Sequence, residues 1–314
     1  MALGKVQVNN LNLGQGDIAA IERHFLFIGR AGSVGEESQL FSVNAQTDLE
    51  DAFVDSNLRK QVIAAQLNAG QNWTAAVYPL ADAEDVFEAI DRANEVQSFE
   101  TVVFCDISNT AVEISAKHDY LASLQATHGR FVSGLVAVPG IDAATQTWSA
   151  YEAAQVALVA GLANHLVIPV PQLHANNVGV LAGRLCNYAV SIADSPMRVA
   201  TGSVMGLGSA PVDSAEKPLA LATLNTLATA RFSVPQWHPD FEGIYWGDGS
   251  TLDAAGGDYQ YIENIRVVHK ASREVRILAI RRIGNRALNS TPNSIELNKG
   301  YFMKPLRNMS KSIN

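Results

Sequence analysis

The sequence lacks the features that mark secreted, membrane and zinc-binding proteins. Its only cysteines are Cys105 and Cys186, far apart and outside any Cys-x-x-Cys spacing, so we expect two buried apolar side chains. No apolar run approaches the ~20 residues that a membrane-spanning helix needs. Residues 1–17 lack the apolar core of a signal peptide. The sequence therefore predicts a chain made in the cytosol, with no membrane insertion.

The sequence also lacks the short motifs of common catalytic sites. Gly29, Gly32 and Gly35 follow a predicted strand, but their spacing fits neither a P-loop nor a dinucleotide-binding loop. The histidines include no His-Glu-x-x-His motif, and His165 and His174 are expected to be ordinary polar residues. No Gly-x-Ser-x-Gly nucleophile motif is present. We predict no catalytic residue, no cofactor and no metal site.

Charge is scarce and unevenly distributed. Charged residues make up 17% of the chain, and the net charge is −8. Residues 264–314 contain eleven Lys/Arg and two acids, whereas residues 1–263 contain twelve Lys/Arg and twenty-nine acids. Such a split suits a basic face that meets an acidic partner. It equally suits a basic end that neutralises the acidic body of the same chain.

Apolar patterning predicts a layered α/β core with a largely parallel central sheet. Predicted strands alternate with predicted helices, which is the order of crossover connections between parallel strands. The strands are expected at 24–30, 73–80, 101–107, 130–140 and 165–171, and the helices at 48–70, 82–96, 109–129, 145–163 and 176–191. We divide the chain into an arm (1–16), an α/β body (17–193) and a C-terminal core region (194–314).

The arm is expected to be an extended strand. The segment 5–13 alternates apolar and polar residues as a strand would, and its apolar residues are Val6, Val8, Leu11 and Leu13. Gly4 and Gly14 flank it. A terminal strand of this kind forms an ordinary sheet edge or pairs with another molecule.

The C-terminal region is expected to contain a hairpin over 241–252 with its turn at Gly247–Ser250. Three nearby aspartates, Asp248, Asp253 and Asp258, are spaced five residues apart among glycines, so a calcium-binding loop has to be considered. The calcium loop fails because its twelfth position, counted from Asp248, holds Tyr259, where a bidentate Glu is required. We instead expect turn chemistry around Asp248 and an N-cap at Asp258.

A helix from about residue 258 to 283 is expected to have two different faces. At about 100° per residue, one face is apolar, through Tyr261, Ile265, Val268, Val275, Ala279 and Ile283. The other is basic, through Arg266, Lys270, Arg273 and Arg281. A basic stripe mixed with isoleucines suits docking on an acidic surface. Nucleic acid is disfavoured, because the acidic body would repel it and no binding motif accompanies the stripe.

Three segments carry a family resemblance: "YWGDGSTLDAAGGDYQYIENIRVVHKASREVRILAIRRIGNRALNS" (245–290), "NNVGVLAGRLCNYAVSIADSPMRVATGSVMG" (176–206) and "HFLFIGRAG" (24–32). They resemble the contractile-tail sheath proteins of Mu-like and related phages. The resemblance implies a virion structural protein, assembled in the host cytoplasm, that stacks as hexameric rings around the tail tube. Contraction of this helical polymer drives the tube through the host envelope, for genome ejection. The implied partners are other copies of the chain, the tube protein, the baseplate and the tail terminator.

The resemblance also assigns roles to residues. Val6, Val8, Leu11 and Leu13 match the arm that exchanges strands between subunits. The tube-facing candidates are Arg266, Lys270, Arg273 and Arg281, with Lys304, Arg307 and Lys311 on the last helical segment as competitors. The family pattern also implies a C-terminal arm strand after "PLRNMSKSIN", which this sequence does not contain.

Two other functions stay open at this point. One is a small-molecule enzyme that uses the carboxyl ends of strands near residues 106, 140 and 171. The other is a binding module whose basic helix takes an acidic protein or RNA.

Overall fold

The computed structural model describes residues 21–31, 38–286 and 288–311. The strands are β1 (Phe25–Arg30), β2 (Phe41–Asn44), β3 (Thr74–Leu80), β4 (Thr101–Phe104), β5 (Ser133–Val138), β6 (Val167–Pro171), β7 (Pro235–His238) and β8 (Phe241–Trp246). The α-helices are α1 (Leu49–Ala52), α2 (Asn57–Ala69), α3 (Val86–Val96), α4 (Ala111–His128), α5 (Trp148–Val159), α6 (Asn177–Cys186), α7 (Leu221–Thr229), α8 (Ile262–Ile280) and α9 (Pro292–Lys311).

Six strands form the central sheet in the order β2-β3-β1-β4-β5-β6. All neighbouring pairs are parallel except β2 with β3. Side chains of β1 alternate between two cores, with Phe25 and Phe27 on one face and Leu26 and Ile28 on the other. Helices cover both faces, which explains why the central strands are apolar on both sides. The predicted α/β class with a largely parallel sheet is confirmed.

The sequence pattern misplaced two features near the start of the body. The predicted helix over 48–70 is two helices, because Ser56 caps a new one: its hydroxyl accepts a hydrogen bond from the Arg59 backbone N–H. Strand β2 was not predicted. It has four residues, of which only Val43 is buried, so it is too short to give a clear alternating pattern.

A C-terminal hairpin is present over residues 235–246 rather than 241–252, so both the predicted span and the predicted turn are wrong. β7 pairs antiparallel with β8, and the chain reverses at Pro239 and Asp240, where Asp240 has φ 61°. Gly249 instead lies against α8, where a Cβ would come within 2.3 Å of Ile262 Cγ2. The Gly-Asp-Gly segment therefore allows close packing of the backbone on a helix.

The residues just before and just after the hairpin cover the outer edge of β6. Ser233 donates its backbone N–H to the Pro169 carbonyl at 3.0 Å, and Leu252 donates to Val167 at 3.1 Å. Open sheet edges are templates for unwanted pairing. The C-terminal region therefore completes the body at this edge of the sheet.

The predicted N-cap at Asp258 is also wrong. Tyr261 holds the N-cap position of α8 without a side-chain cap, and it lies opposite Ser250 in an isolated antiparallel bridge. That bridge keeps the backbone extended until Ile262. The organising carboxylate of this loop is Asp253, which accepts from the backbone N–H groups of Ala254 and Tyr259 at 2.8 and 2.9 Å.

Helices α2 and α6 are in direct backbone contact. A Cβ on Gly179 would stand 2.1 Å from the Gln61 carbonyl oxygen, and one on Gly183 would stand 2.3 Å from that of Ala65. Because real Cβ atoms do not approach an oxygen so closely, both positions require glycine. The four-residue spacing places both glycines on the same face of α6.

Replacing Gly183 by alanine is expected to destabilise the protein by about 1–3 kcal/mol, because the new methyl group overpacks the contact with α2. Gly300→Ala is the control: this glycine lies inside α9 with no atom near its missing Cβ. That change is expected to stabilise by up to about 1 kcal/mol through helix propensity. Urea unfolding of both variants checks the opposite signs, and equal effects would contradict the backbone contact.

Candidate interaction surface of the C-terminal helices

The N-terminal arm residues cannot be placed on this surface. Val6, Val8, Leu11 and Leu13 lie outside the described residues. The role of the arm therefore stays a prediction.

Helix α8 docks on the body through a face that includes arginines. Its buried residues are Ile262, Ile265, Arg266, His269 and Arg273, which recur at helical spacing. Of the predicted apolar face, Ile265 is buried, whereas Val268 is 39% exposed and Ile283 is 80% exposed. The predicted orientation of this helix is therefore wrong.

Arg266 forms a buried two-point ion pair with Glu100. Its Nε and Nη2 atoms lie 2.6 and 3.1 Å from the two carboxylate oxygens, and the two side chains are 3% and 1% exposed. Burial alone would raise the pKa of Glu100, but the charge and hydrogen bonds of Arg266 outweigh it and lower that pKa. The ionised carboxylate thus stabilises the fold above its unfolded-state pKa, and this stabilisation is lost as pH falls through the lower folded-state pKa.

Arg273 makes the second buried ion pair, about two helical turns further along. Its Nη2 atom lies 2.9 Å from Glu22 Oε1, and its Nη1 donates to the Phe131 carbonyl at 3.1 Å. One turn later, exposed Arg276 donates to the His128 carbonyl at 3.2 Å. Three arginines therefore tie α8 to Glu100 directly before β4, to the segments that precede β1 and β5, and to the end of α4.

His269 lies between the two ion-paired arginines and is neutral. Burial and the nearby charge of Arg273 lower the pKa of His269 to about 3. Its ring packs near Phe131, with centroids 5.8 Å apart. The buried positive charge under α8 is therefore carried by arginine alone.

The ion pairs correct the predicted basic face. Arg266 and Arg273 were expected to meet a partner, yet both are buried and paired with acids of their own chain. Lys270 is half-buried, and Arg281, Lys304 and Arg307 are exposed. Of the seven candidates for the tube contact, Lys311 lies outside the described side chains, and four of the other six keep contact with solvent.

Apolar side chains accompany the exposed cations. Ile280 and Ile283 at the end of α8 are 48% and 80% exposed, and Leu297 and Met303 on α9 are 67% and 43% exposed. We call these four residues, together with Lys304 and Arg307, the apolar–basic surface. Tyr301 lies beneath Arg282, whose guanidinium carbon is 4.1 Å from the ring centroid.

The strand ends proposed for an enzyme hold an ion pair and a shallow groove. Asp106 accepts hydrogen bonds from the backbone and guanidinium of Arg30. A shallow groove of about 540 Å³ near His174 and Gln172 is lined mainly by small and apolar groups. Among the described residues, no three His, Cys, Asp or Glu side chains are grouped to hold a metal ion. In the same part of the chain, no helix is both long and apolar enough to span a membrane.

Removing one partner of the buried Arg266–Glu100 pair is expected to be severe. Arg266→Met should cost about 3–5 kcal/mol, because it leaves an unpaired buried carboxylate. Adding Glu100→Gln to that variant should restore part of the loss. Exposed Arg307→Met is the control, with an expected change within about 0.5 kcal/mol. A double-mutant cycle by urea unfolding measures the coupling, and additive single effects would refute it.

The chain matches the DUF2586 family along its length, with the N-terminal domain over residues 3–250 and the C-terminal domain over residues 258–314. A protein of Haemophilus phage HP1 (strain HP1c1), described as a tail sheath protein, is 46% identical over 318 residues. The match covers 98% of this chain and 84% of the relative.

Two solved structures share the fold at low sequence identity. The sheath complex of an extracellular contractile injection system in its contracted state matches with TM-score 0.62 and 13% identity, covering 99% of this chain and 82% of that one. The sheath tail protein Lin1278 from Listeria innocua matches with TM-score 0.59 and 12% identity, covering 94% and 86%. The family resemblance read from the sequence is confirmed, and with it the absence of an enzymatic role. This chain belongs to the DUF2586 family and is a phage tail sheath protein, a structural component of the virion.

Proposed function

We propose that this chain polymerises as stacked hexameric rings around the tail tube and contracts to drive the tube through the host envelope. The observation that carries the proposal is the 46% identity to a tail sheath protein over 98% of the chain. The likeness extends along nearly the whole chain rather than being confined to one segment. Other copies of the chain, the tube protein, the baseplate and the tail terminator are the proposed partners. Assembly is proposed to take place in the host cytoplasm.

The attachment of α8 supports this proposal. During contraction, a sheath subunit has to change its position relative to its neighbours while it keeps its own fold. Arg266 and Arg273 are paired with Glu100 and Glu22 in the interior, so α8 cannot leave the body without exposing or orphaning buried charges. We therefore propose that the body and α8 move together during contraction.

The arm is the proposed connection between subunits. Apolar and polar residues alternate within each of the pairs Val6/Val8 and Leu11/Leu13, as in a strand that adds to a sheet. Backbone hydrogen bonds hold such a strand independently of its side chains. The glycines at positions 4, 14 and 16 flank the strand, and their conformational freedom would absorb the movement between subunits.

The proposed tube contact is the exposed basic side of α8 and α9. We propose Lys270, Arg281, Lys304 and Arg307 as the tube-facing residues, because Arg266 and Arg273 are buried in ion pairs with acids of their own chain. Exposed ion pairs each contribute roughly 0–1 kcal/mol. Many such weak contacts suit a surface that has to release the tube when the sheath contracts.

Electron microscopy of the purified full chain tests the assembly. We expect tubes or stacks of rings, and deletion of residues 1–14 should leave monomers whose thermal unfolding matches that of the intact chain. The matched control is a chain of full length in which the apolar arm residues are kept and Asn9 and Asn10 are replaced by serine. Persistent monomers of the full chain would refute the sheath proposal. Unchanged tubes after the deletion would refute the arm.

Charge reversal tests the tube contact. Lys304→Glu with Arg307→Glu should weaken co-sedimentation with the tube protein of the same phage at low salt, because two attractive charges become repulsive. Lys60→Glu, at an exposed position of α2 on the body, is the control for charge reversal elsewhere on the surface and should leave binding unchanged. Equal binding by the α9 variant and the control would exclude α9 from the tube contact.

A further inference from the structure

Two histidines from separate elements meet on the body, away from the apolar–basic surface. His118 lies in α4 and His165 lies just before β6, and their Nε2 and Nδ1 atoms are 3.5 Å apart. His165 also stacks on Tyr259, with ring centroids 5.4 Å apart. The histidine pair therefore lies where α4, the approach to β6 and the loop before α8 come together.

The spacing of the pair is long for a hydrogen bond and suits a shared ligand. Hydrogen bonds donated by N–H are typically 2.7–3.2 Å long between heavy atoms, shorter than the 3.5 Å found here. Two imidazole nitrogens on one tetrahedral zinc ion, each about 2.0–2.1 Å from the metal, stand about 3.3 Å apart. The same geometry puts the ring centroids about 5 Å apart, and the observed value is 5.2 Å.

Asp119 prepares His118 for this role. Its Oδ1 atom lies 3.1 Å from His118 Nδ1, so Nδ1 carries the proton and the lone pair is on Nε2, the atom that faces His165. A carboxylate that holds the outer nitrogen of a histidine is the usual outer partner of a metal-binding imidazole. His118 is 14% exposed as a side chain and Asp119 is 77% exposed, so the pair is accessible to an ion from solvent.

We propose that His118 and His165 form a two-histidine site for a borderline divalent transition-metal ion, with zinc as the representative. Because no third His, Cys, Asp or Glu of the described residues is grouped with them to hold a metal, water fills the remaining positions. Imidazole pairs suit Zn²⁺, Cu²⁺ and Ni²⁺ over Ca²⁺ or Mg²⁺, which prefer oxygen ligands. The ion would link α4 to the start of β6 beside Tyr259. No sequence motif indicated this site, since the two histidines are 47 residues apart.

Calorimetric titration of the chelator-stripped full chain with ZnCl₂ tests the site. We expect one zinc ion per chain with a micromolar dissociation constant, and no binding of MgCl₂. His118→Ala should abolish the titration, and Asp119→Asn should weaken binding by about tenfold or more through loss of the outer carboxylate. His128→Ala, an exposed histidine at the end of the same helix, should bind zinc like the unmodified chain.

Thermal unfolding without metal checks that each variant is folded. If His118→Ala does not fold, Asp119→Asn still tests the site. Absence of zinc binding by the unmodified chain would overturn the proposal and leave a hydrogen-bonded pair only. Zinc binding that survives both His118→Ala and Asp119→Asn would overturn it too, since the ion would then sit elsewhere. The outcome is independent of the sheath proposal, because the titration involves neither polymerisation nor the tube.

Discussion

The ion pair between Glu100 and Arg266 fixes where the C-terminal helices lie. Both side chains are almost fully buried, and either charge alone in that position would be strongly destabilising. Helix α8 therefore has to dock where the two charges meet. Glu22 and Arg273 repeat this requirement two turns further along. Helix α9 packs against α8, so its position follows from the same two contacts.

The body of the fold was predictable because its signals are local. Apolar strands such as Phe25–Arg30 and capped helices such as Ala111–His128 stand close to their predicted bounds. The errors came where distant contacts decide the backbone conformation. The segment around Gly249 looked like a turn, but it is shaped by its contact with Ile262, which no local pattern reveals.

The interaction surface was predictable only in part, for the same reason. Arginines at helical spacing predict an exposed basic stripe when their partners are unknown. The acids that pair with Arg266 and Arg273 are 166 and 251 residues away in the sequence. The charge count did leave the alternative open, since a basic end that neutralises the acidic body describes these two pairs. Each of the two alternatives, charge neutralisation and an exposed basic face, applies to different residues. Arg266 and Arg273 neutralise acids of the body, and Lys304 and Arg307 remain in solvent.

The glycine contact between α2 and α6 has a mechanical consequence. An interface made of long side chains yields under load, because those side chains change rotamer. At Gly179 and Gly183 the backbone of one helix rests on carbonyl oxygens of the other, and no rotatable side-chain bond lies between them. Close-packed interiors have low compressibility and transmit strain. We therefore expect a push delivered to the end of α2 to pass to α6 with little elastic loss.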